Sequence, residues 1–439
     1  MLITNSETRR LLRDNVTDRY IRVVIGGQNV SPENIVAESL RISSSIMDNE
    51  TLRFGGCISS QLTLRFVDFD GFIQSVEGLT LTEKKIQVYI DCDYTGDPLY
   101  PSDTLYPSDT LYPGQPEFHL EKLIYTGYII IPKRLKNRAI IEITAYDEFY
   151  LMGKTKCKVA VEGFFDHSPG ALTTLHSFMS RVLELYDGAD DGKSFQSDFN
   201  ADRGFQYVVA PNAASGLDEA LFKEQADENL TVLDILEAHC ELNSRFAYIN
   251  PEGRLKFTTQ YRFYLDSTEV KPVAEIIERH SGLTCEDFTT EVIDIISFPY
   301  NGGKSRYLYG FDHSGTGDRR HWYVSDNIIT TWIREYANIA GIANNFYNYN
   351  NNKPNFIFYD LCSYRPFSIA TFGEWWIEVG DRVQATLQTY NRDGTYSSMT
   401  VDSYVFEREI RGVAGMRATL SAKGTQFIGK DELQYNEQL

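Results

Sequence analysis

Asn301-Gly302-Gly303-Lys304-Ser305 contains the Gly-Lys-Ser that closes a phosphate-binding loop. Such a loop cradles phosphate with backbone N–H groups and needs a second glycine further upstream. Phe298 occupies that position, so the segment is expected to be a turn. Asp187-Gly188-Ala189-Asp190-Asp191-Gly192 echoes a calcium loop, whose ligands must fall at fixed alternate positions. Here Ala189 replaces the third-position ligand and Asp198 stands in for the bidentate glutamate, which leaves a polar loop. His313 and His321 flank Gly315-Thr316-Gly317-Asp318, and His239 adjoins Cys240. Neither arrangement gives a metal pair at helical spacing or a nucleophile beside its base. His239 is expected to be a half-buried structural residue on a helix. Carboxylate pairs for glycoside cleavage are set by distance in space, and among 61 acids a chance pair says nothing. The cysteines at 57, 92, 157, 240, 285 and 362 are scattered, without the close pairs of a zinc site. They are expected to be reduced thiols of a protein assembled in cytoplasm. No catalytic residue, cofactor or metal ligand is assigned, and the chain is expected not to be an enzyme.

Charge points the same way. Lys and Arg number 42 against 61 Asp and Glu, a net charge of −19. Nucleic-acid affinity comes largely from cations, so this chain suits a conduit for nucleic acid better than a grip on it. The first residues lack the apolar core of an export signal, and no window reaches the length needed to span a bilayer. A hydrophobic share of 42% over 439 residues implies a globular chain with more than one domain. The 28 Tyr and 26 Phe favour strands and broad packed surfaces.

The elements that would position any site are mostly strands. Tyr20-Ile21-Arg22-Val23-Val24-Ile25, Ser39 to Ile46, the run through Leu62, Leu64 and Phe66, Lys85 to Ile90, Ile124 to Ile131 and Arg138 to Ala145 all alternate. Short alternating strands at hairpin spacing predict a sandwich or barrel. Within this module Leu99-Tyr100-Pro101-Ser102-Asp103-Thr104 repeats as Leu105-Tyr106-Pro107-Ser108-Asp109-Thr110 and restarts at Leu111-Tyr112-Pro113. Proline cannot donate to a ladder, so 93–118 is expected to be a projecting loop. Its Leu99, Tyr100, Leu105, Tyr106, Leu111 and Tyr112 are the candidate partner contacts, weighed against a neutral duplication in a tolerant surface loop.

Ser168-Pro169 predicts a helix start, with Leu172, Leu175, Phe178, Met179, Val182, Leu183 and Tyr186 as its apolar stripe and Gly188 as its stop. Thr231-Val232-Leu233-Asp234 predicts a capping box opening a second helix. Asn250-Pro251-Glu252-Gly253 predicts a type I turn between two strands. Asp326 is expected to cap one long helix through Ile328, Ile329, Trp332, Ile333, Tyr336, Ile339, Ala340, Ala343 and Phe346. Near the C-terminus Val383, Ala385 and Leu387 alternate, Asp393-Gly394 turns, Met399 to Phe406 returns, and Met416 to Leu420 follows a turn at 411–415. These three strands need partners, expected far back in sequence, and the expected product is a barrel.

The order Glu378-Val379-Gly380-Asp381, alternating strand, Arg392-Asp393-Gly394, second strand, Gly412-Val413-Ala414-Gly415-Met416-Arg417 and Gly424 resembles the closing domain of phage tail-hub proteins. Leu52-Arg53-Phe54-Gly55-Gly56-Cys57-Ile58-Ser59-Ser60 resembles a motif of the first domain of Gram-positive prophage hubs. Thr126-Gly127-Tyr128 onward to Leu151 resembles their strand pair ending in Thr-Ala-Tyr-Asp. The helix and hairpin over 230–258 complete an ordered set spanning most of the chain. The resemblance implies an α+β, β-rich chain with two barrel-like domains and helical inserts. Residues 1–152 would form the first barrel-like domain, 153–243 a helical linker, 244–362 an α+β domain, and 363–439 the closing strands of the second. It implies a homotrimer whose six barrels form a ring. That ring would lie in a phage tail or phage-like injection particle and adapt a sixfold tail tube to a threefold spike or tip. Implied partners are the tube or distal tail protein above, the spike or tip protein below and the tape-measure protein, with no specific nucleic-acid binding. Hub relatives often continue into lytic or receptor-binding domains, and this sequence stops at Leu439, so wall degradation is expected of another chain. The competing readings are a glycan-binding or glycan-cleaving tail-tip protein and a monomeric tail-fibre adaptor. Exposed aromatics gathered on one face would favour the glycan reading.

Overall fold

In the computed structural model the described residues are 18–46, 55–68, 71–76, 80–94, 118–135, 139–188, 194–201, 215–243, 245–258, 274–277, 283–285, 295–310, 321–343, 366–372, 375–390, 392–412, 417–422 and 428–429. The repeat bearing Leu99, Tyr100, Leu105, Tyr106, Leu111 and Tyr112 lies outside them, as do His313, Gly424 and the Asn-rich run after Ala343.

Alternation sets the strands. Ile21, Val23 and Ile25 of strand Asp18–Ile25 are buried, as are Ile86, Val88 and Ile90 of Lys85–Tyr94 and Leu62, Leu64 and Phe66 of Gly56–Val67. A two-residue period puts each set on one face, where it joins a common core. Asp18–Ile25, Lys85–Tyr94, Phe118–Arg134, Ile140–Tyr146, Gly56–Val67 and Arg41–Ser45 lie side by side in that order, each antiparallel to the next.

The far edge of Arg41–Ser45 is taken by a strand from the other end of the chain. Glu407–Arg411 pairs with it antiparallel, Ile410 opposite Ile42, and Arg41 Nε lies 3.0 Å from Glu409 Oε1. Arg417–Ala422, Phe367–Phe372 and Leu283–Cys285 then extend the same sheet. The expected long-range partnership is therefore present, and the chain is α+β and β-rich.

Among the described residues the expected barrels are not closed. The pairing runs as an open path from Gln28–Val30 at one end to Leu283–Cys285 at the other. The C-terminal strands also divide between sheets. Hairpin Arg382–Tyr390 and Tyr396–Tyr404 pairs with Ala274–Ile277 in a separate three-stranded sheet. Val405 and Phe406, both fully buried, carry the chain across to the large sheet. Val405 bonds to Asp381 and Gly380, whereas Phe406 bonds to Ile46 and Ser421. Backbone groups spent on that crossover cannot continue one ladder around a closed circle. Helices Glu148–Met152 and Val232–Leu242 pack on Gly56–Val67 as a second layer.

The capping box at Thr231 and Asp234 forms as its spacing predicts, with Thr231 N donating to Asp234 Oδ2 at 2.9 Å. Gly253 N donates to Asn250 O at 2.8 Å, closing the predicted turn between strands Phe246–Ile249 and Leu255–Thr258. Two helix expectations need correction. Ser168-Pro169 opens only a 3-10 turn, Pro169–Leu172, and helix Leu175–Asp187 begins afresh with Thr174 and Ser177 as its capping box. A reciprocal side-chain cap outcompetes proline as the start because it satisfies orphan N–H groups. The expected long helix is two: Ile328–Thr331, capped by Asn327 and not Asp326, and Tyr336–Ala343. The break has a tertiary cause. Trp332 O accepts from Asp218 N at 2.9 Å and Ile333 O from Asn301 N at 2.8 Å, which removes these carbonyls from a helical ladder.

Gly55 marks a close approach between layers. A Cβ there would lie 2.4 Å from Cys240 O and 2.6 Å from Arg245 O, both backbone atoms that cannot swing away. Gly55→Ala should therefore shift the helix end at Cys240 off the Gly56–Val67 strand. The expected result is a loss of more than about 2 kcal/mol of stability, read from a denaturant midpoint. A variant as stable as the parent would show that the two layers move apart freely.

Candidate functional site

The candidates that fall within the described residues have structural roles. Asn301-Gly302-Gly303-Lys304 is the hairpin turn between Ile295–Tyr300 and Ser305–Gly310, with positive φ at Asn301, Gly302 and Gly303. Asp187 Oδ1 and Oδ2 accept from Phe195 N at 3.0 Å and Gln196 N at 2.7 Å, so this acid starts helix Phe195–Ala201. Asp198 is buried and accepts Arg254 Nε at 2.8 Å and Leu255 N at 3.1 Å, fastening that helix to the 246–258 hairpin. The two acids of the calcium-like echo thus serve different joints.

His239 is fully buried, not half-buried, with the Phe199 ring edge-on at 5.5 Å. Burial, reinforced by His176 and Arg245, pushes its pKa down to about 3 and keeps the imidazole neutral. His176, stacked on Phe199 at 4.6 Å and bonded to Asn200 Oδ1 at 3.1 Å, is also shifted down by burial. His321 sits on strand His321–Val324. Cys57 is beside Cys240, and burial raises the Cys57 thiol well above its ordinary value, which suppresses thiolate chemistry. Among the described residues no group of three or more His, Cys, Asp or Glu is placed to hold a metal.

A groove of about 790 Å³ runs between helix Val232–Leu242 and the segment 323–332. Asp227, Asp234, Glu237, Glu241 and Asp326 line it, over a floor that includes Leu230 and Trp332. Among the described residues no lysine or arginine lines it. Glu241 is held by Tyr323 Oη at 2.6 Å and Asn327 Nδ2 at 2.7 Å, which ties the two walls together. Such a surface attracts cationic groups and repels phosphate.

A second polar site was invisible in the sequence. Asp147 caps helix Glu148–Met152 through Phe149 N at 3.1 Å and also takes Ser60 N at 2.6 Å. Burial pushes its carboxyl up to about 7 despite those two donors. An Asp before a short apolar run is a local cap signal. Nothing local could reveal that Arg408 and Glu378 close over the same spot.

No family profile and no curated protein sequence matches the chain. Among solved structures it is similar to the tail protein from Neisseria meningitidis MC58, at 12% identity and a TM-score of 0.43, over 92% of this chain and 96% of that one. It is also similar to the 43 kDa tail protein of prophage MuSo2 from Shewanella oneidensis, at 10% identity and a TM-score of 0.41, over 92% and 97%. No residue assignment is carried over from either.

Proposed function

We propose that the chain is a structural hub or tail-tip subunit of a phage tail or phage-like injection particle, acting without catalysis as a homotrimer around a central channel. The observation that carries this reading is the pairing of Glu407–Arg411 with Arg41–Ser45, which locks the two ends of the chain into one sheet. The segments whose order resembles tail hubs come from both ends, and that sheet is where they meet. A rigid joint of this kind suits a part that transmits load between a tube and a tip. The balance of acids over bases and the acidic groove suit a wall that lets nucleic acid pass.

Aromatic placement weighs against the glycan reading. Trp332, Trp375 and Trp376 are each about 1% exposed, and the exposed large hydrophobics among the described residues are Ile131, Val159, Leu308 and Tyr336. A sugar groove needs aromatic faces open to solvent, and these tryptophans are core.

Native mass measurement of the purified chain, alone and with its tube and tip partners, tests the proposal. The expected species is three times the 50.2 kDa chain, appearing as a ring with a central hole in negative stain. A chain that stays monomeric with both partners present, or that binds or cleaves cell-wall glycan as a monomer, would overturn it.

A further inference from the structure

Strand Phe118–Arg134 carries an irregularity with a consequence for the core. Its pairing with Lys85–Tyr94 slips between Val88 and Tyr89, which leaves Ile124 as an extra residue. Ile124, Tyr125 and Thr126 are consequently all buried, where a regular strand would turn every second side chain outward. The bulge thus aims polar groups inward.

Tyr125 and Thr126 line a cavity of about 30 Å³ with Ser60, Asp147, Glu378 and Arg408. Those residues come from segments at both ends of the chain, Ser60, Tyr125, Thr126 and Arg408 from strands, so the cavity lies at the joint that holds those ends together. Arg408 is 7% exposed and Thr126 is 8% exposed. Arg408 Nη1 donates to Ile377 O at 3.0 Å, but Arg408 Nε and Thr126 Oγ1 have no hydrogen-bond partner among the described residues. A buried donor or acceptor left unsatisfied bears the full penalty of its lost hydration. A polar cavity larger than about 10–15 Å³ has room for water.

Charge decides among possible occupants. An anion attracted to Arg408 would meet the carboxyl groups of Asp147 and Glu378, and a cation attracted to those would meet the guanidinium. A neutral molecule that both donates and accepts fits without a charge penalty.

We propose that this cavity is a built hydration site in which one water accepts from Arg408 Nε–H, bonds Thr126 Oγ1, and joins the N-terminal strands to Glu407–Arg411. The site does not depend on the tail assignment, because it follows from the joint alone.

A high-resolution crystal structure of the full chain grown in bromide tests it. The expected result is a water peak within hydrogen-bond distance of both atoms and no bromide anomalous signal. Bromide at that position, or an empty cavity, would overturn the proposal. Thr126→Val should lose the peak and Thr126→Ser should keep it. A peak unchanged in T126V would remove Thr126 from the site. Should T126V fail to fold, the parent and T126S crystals still decide between water, ion and void.

Discussion

Trp332→Ala should cost about 3–5 kcal/mol of stability, among the largest effects of any single truncation in this chain. The indole is 1% exposed and meets the Phe222 ring edge-on at 4.9 Å and the Phe178 ring at 6.4 Å. Those rings belong to helices Glu219–Gln225 and Leu175–Asp187, so one side chain binds two helices to the 328–343 segment. Its own backbone oxygen accepts from Asp218 N, which prevents the segment from collapsing into the void. Urea unfolding followed by circular dichroism reads the loss. Trp332→Phe should recover a large part of it, because one ring still fills the space between Phe178 and Phe222. A Trp332→Ala variant within about 1 kcal/mol of the parent would show that the helical layer does not depend on this contact.

Asp147 should make folding stability fall as pH rises toward neutrality. Its folded-state pKa of about 7 lies above the ordinary value of 3.8, chiefly through burial. The folded chain therefore holds a proton that the unfolded chain releases. The associated stability is complete below about pH 4 and is lost as pH rises through 7. At 1.36 kcal/mol per unit the span is roughly 4 kcal/mol. The groups facing this acid are Ser60 and Tyr125 from neighbouring strands, Glu148 on its own helix, and Glu378 and Arg408 across the cavity. Asp147→Asn cannot titrate and retains one acceptor for the Ser60 or Phe149 N–H. Unfolding free energies measured between pH 4 and 8 should show the parent losing stability relative to this variant. A constant difference, or one that grows in the parent's favour with pH, would rule the account out.

Much of the local structure was legible from the chain alone. Leu62, Leu64 and Phe66 declared a strand with one buried face, Thr231 and Asp234 a helix start, and Asn250 to Gly253 a turn. Each of these rests on groups a few residues apart, so the physics is complete within the window that is read. The helical stripe from Ile328 onward misled for the complementary reason. Its spacing suits a continuous helix, but carbonyls at Trp332 and Ile333 are claimed by residues 218 and 301. Helical period records which face is buried and not which backbone partner wins.

The candidate site divides along the same line. That the Gly-Lys-Ser segment is a turn followed from one misplaced residue, Phe298, and the structure agrees. Asp147, Arg408 and Glu378 carried no joint signal, because their meeting depends on a strand pairing that brings Arg41 to Glu409, 368 positions away. Sequence determined the alternation of the strands, the caps and turns set by near neighbours, and that the acids outnumber the bases. Only the tertiary structure decided where each strand finds its edge, and so that the sheets stay open and the ends interlock. Backbone ladders are indifferent to side-chain identity, and their partners are chosen by packing of the whole core.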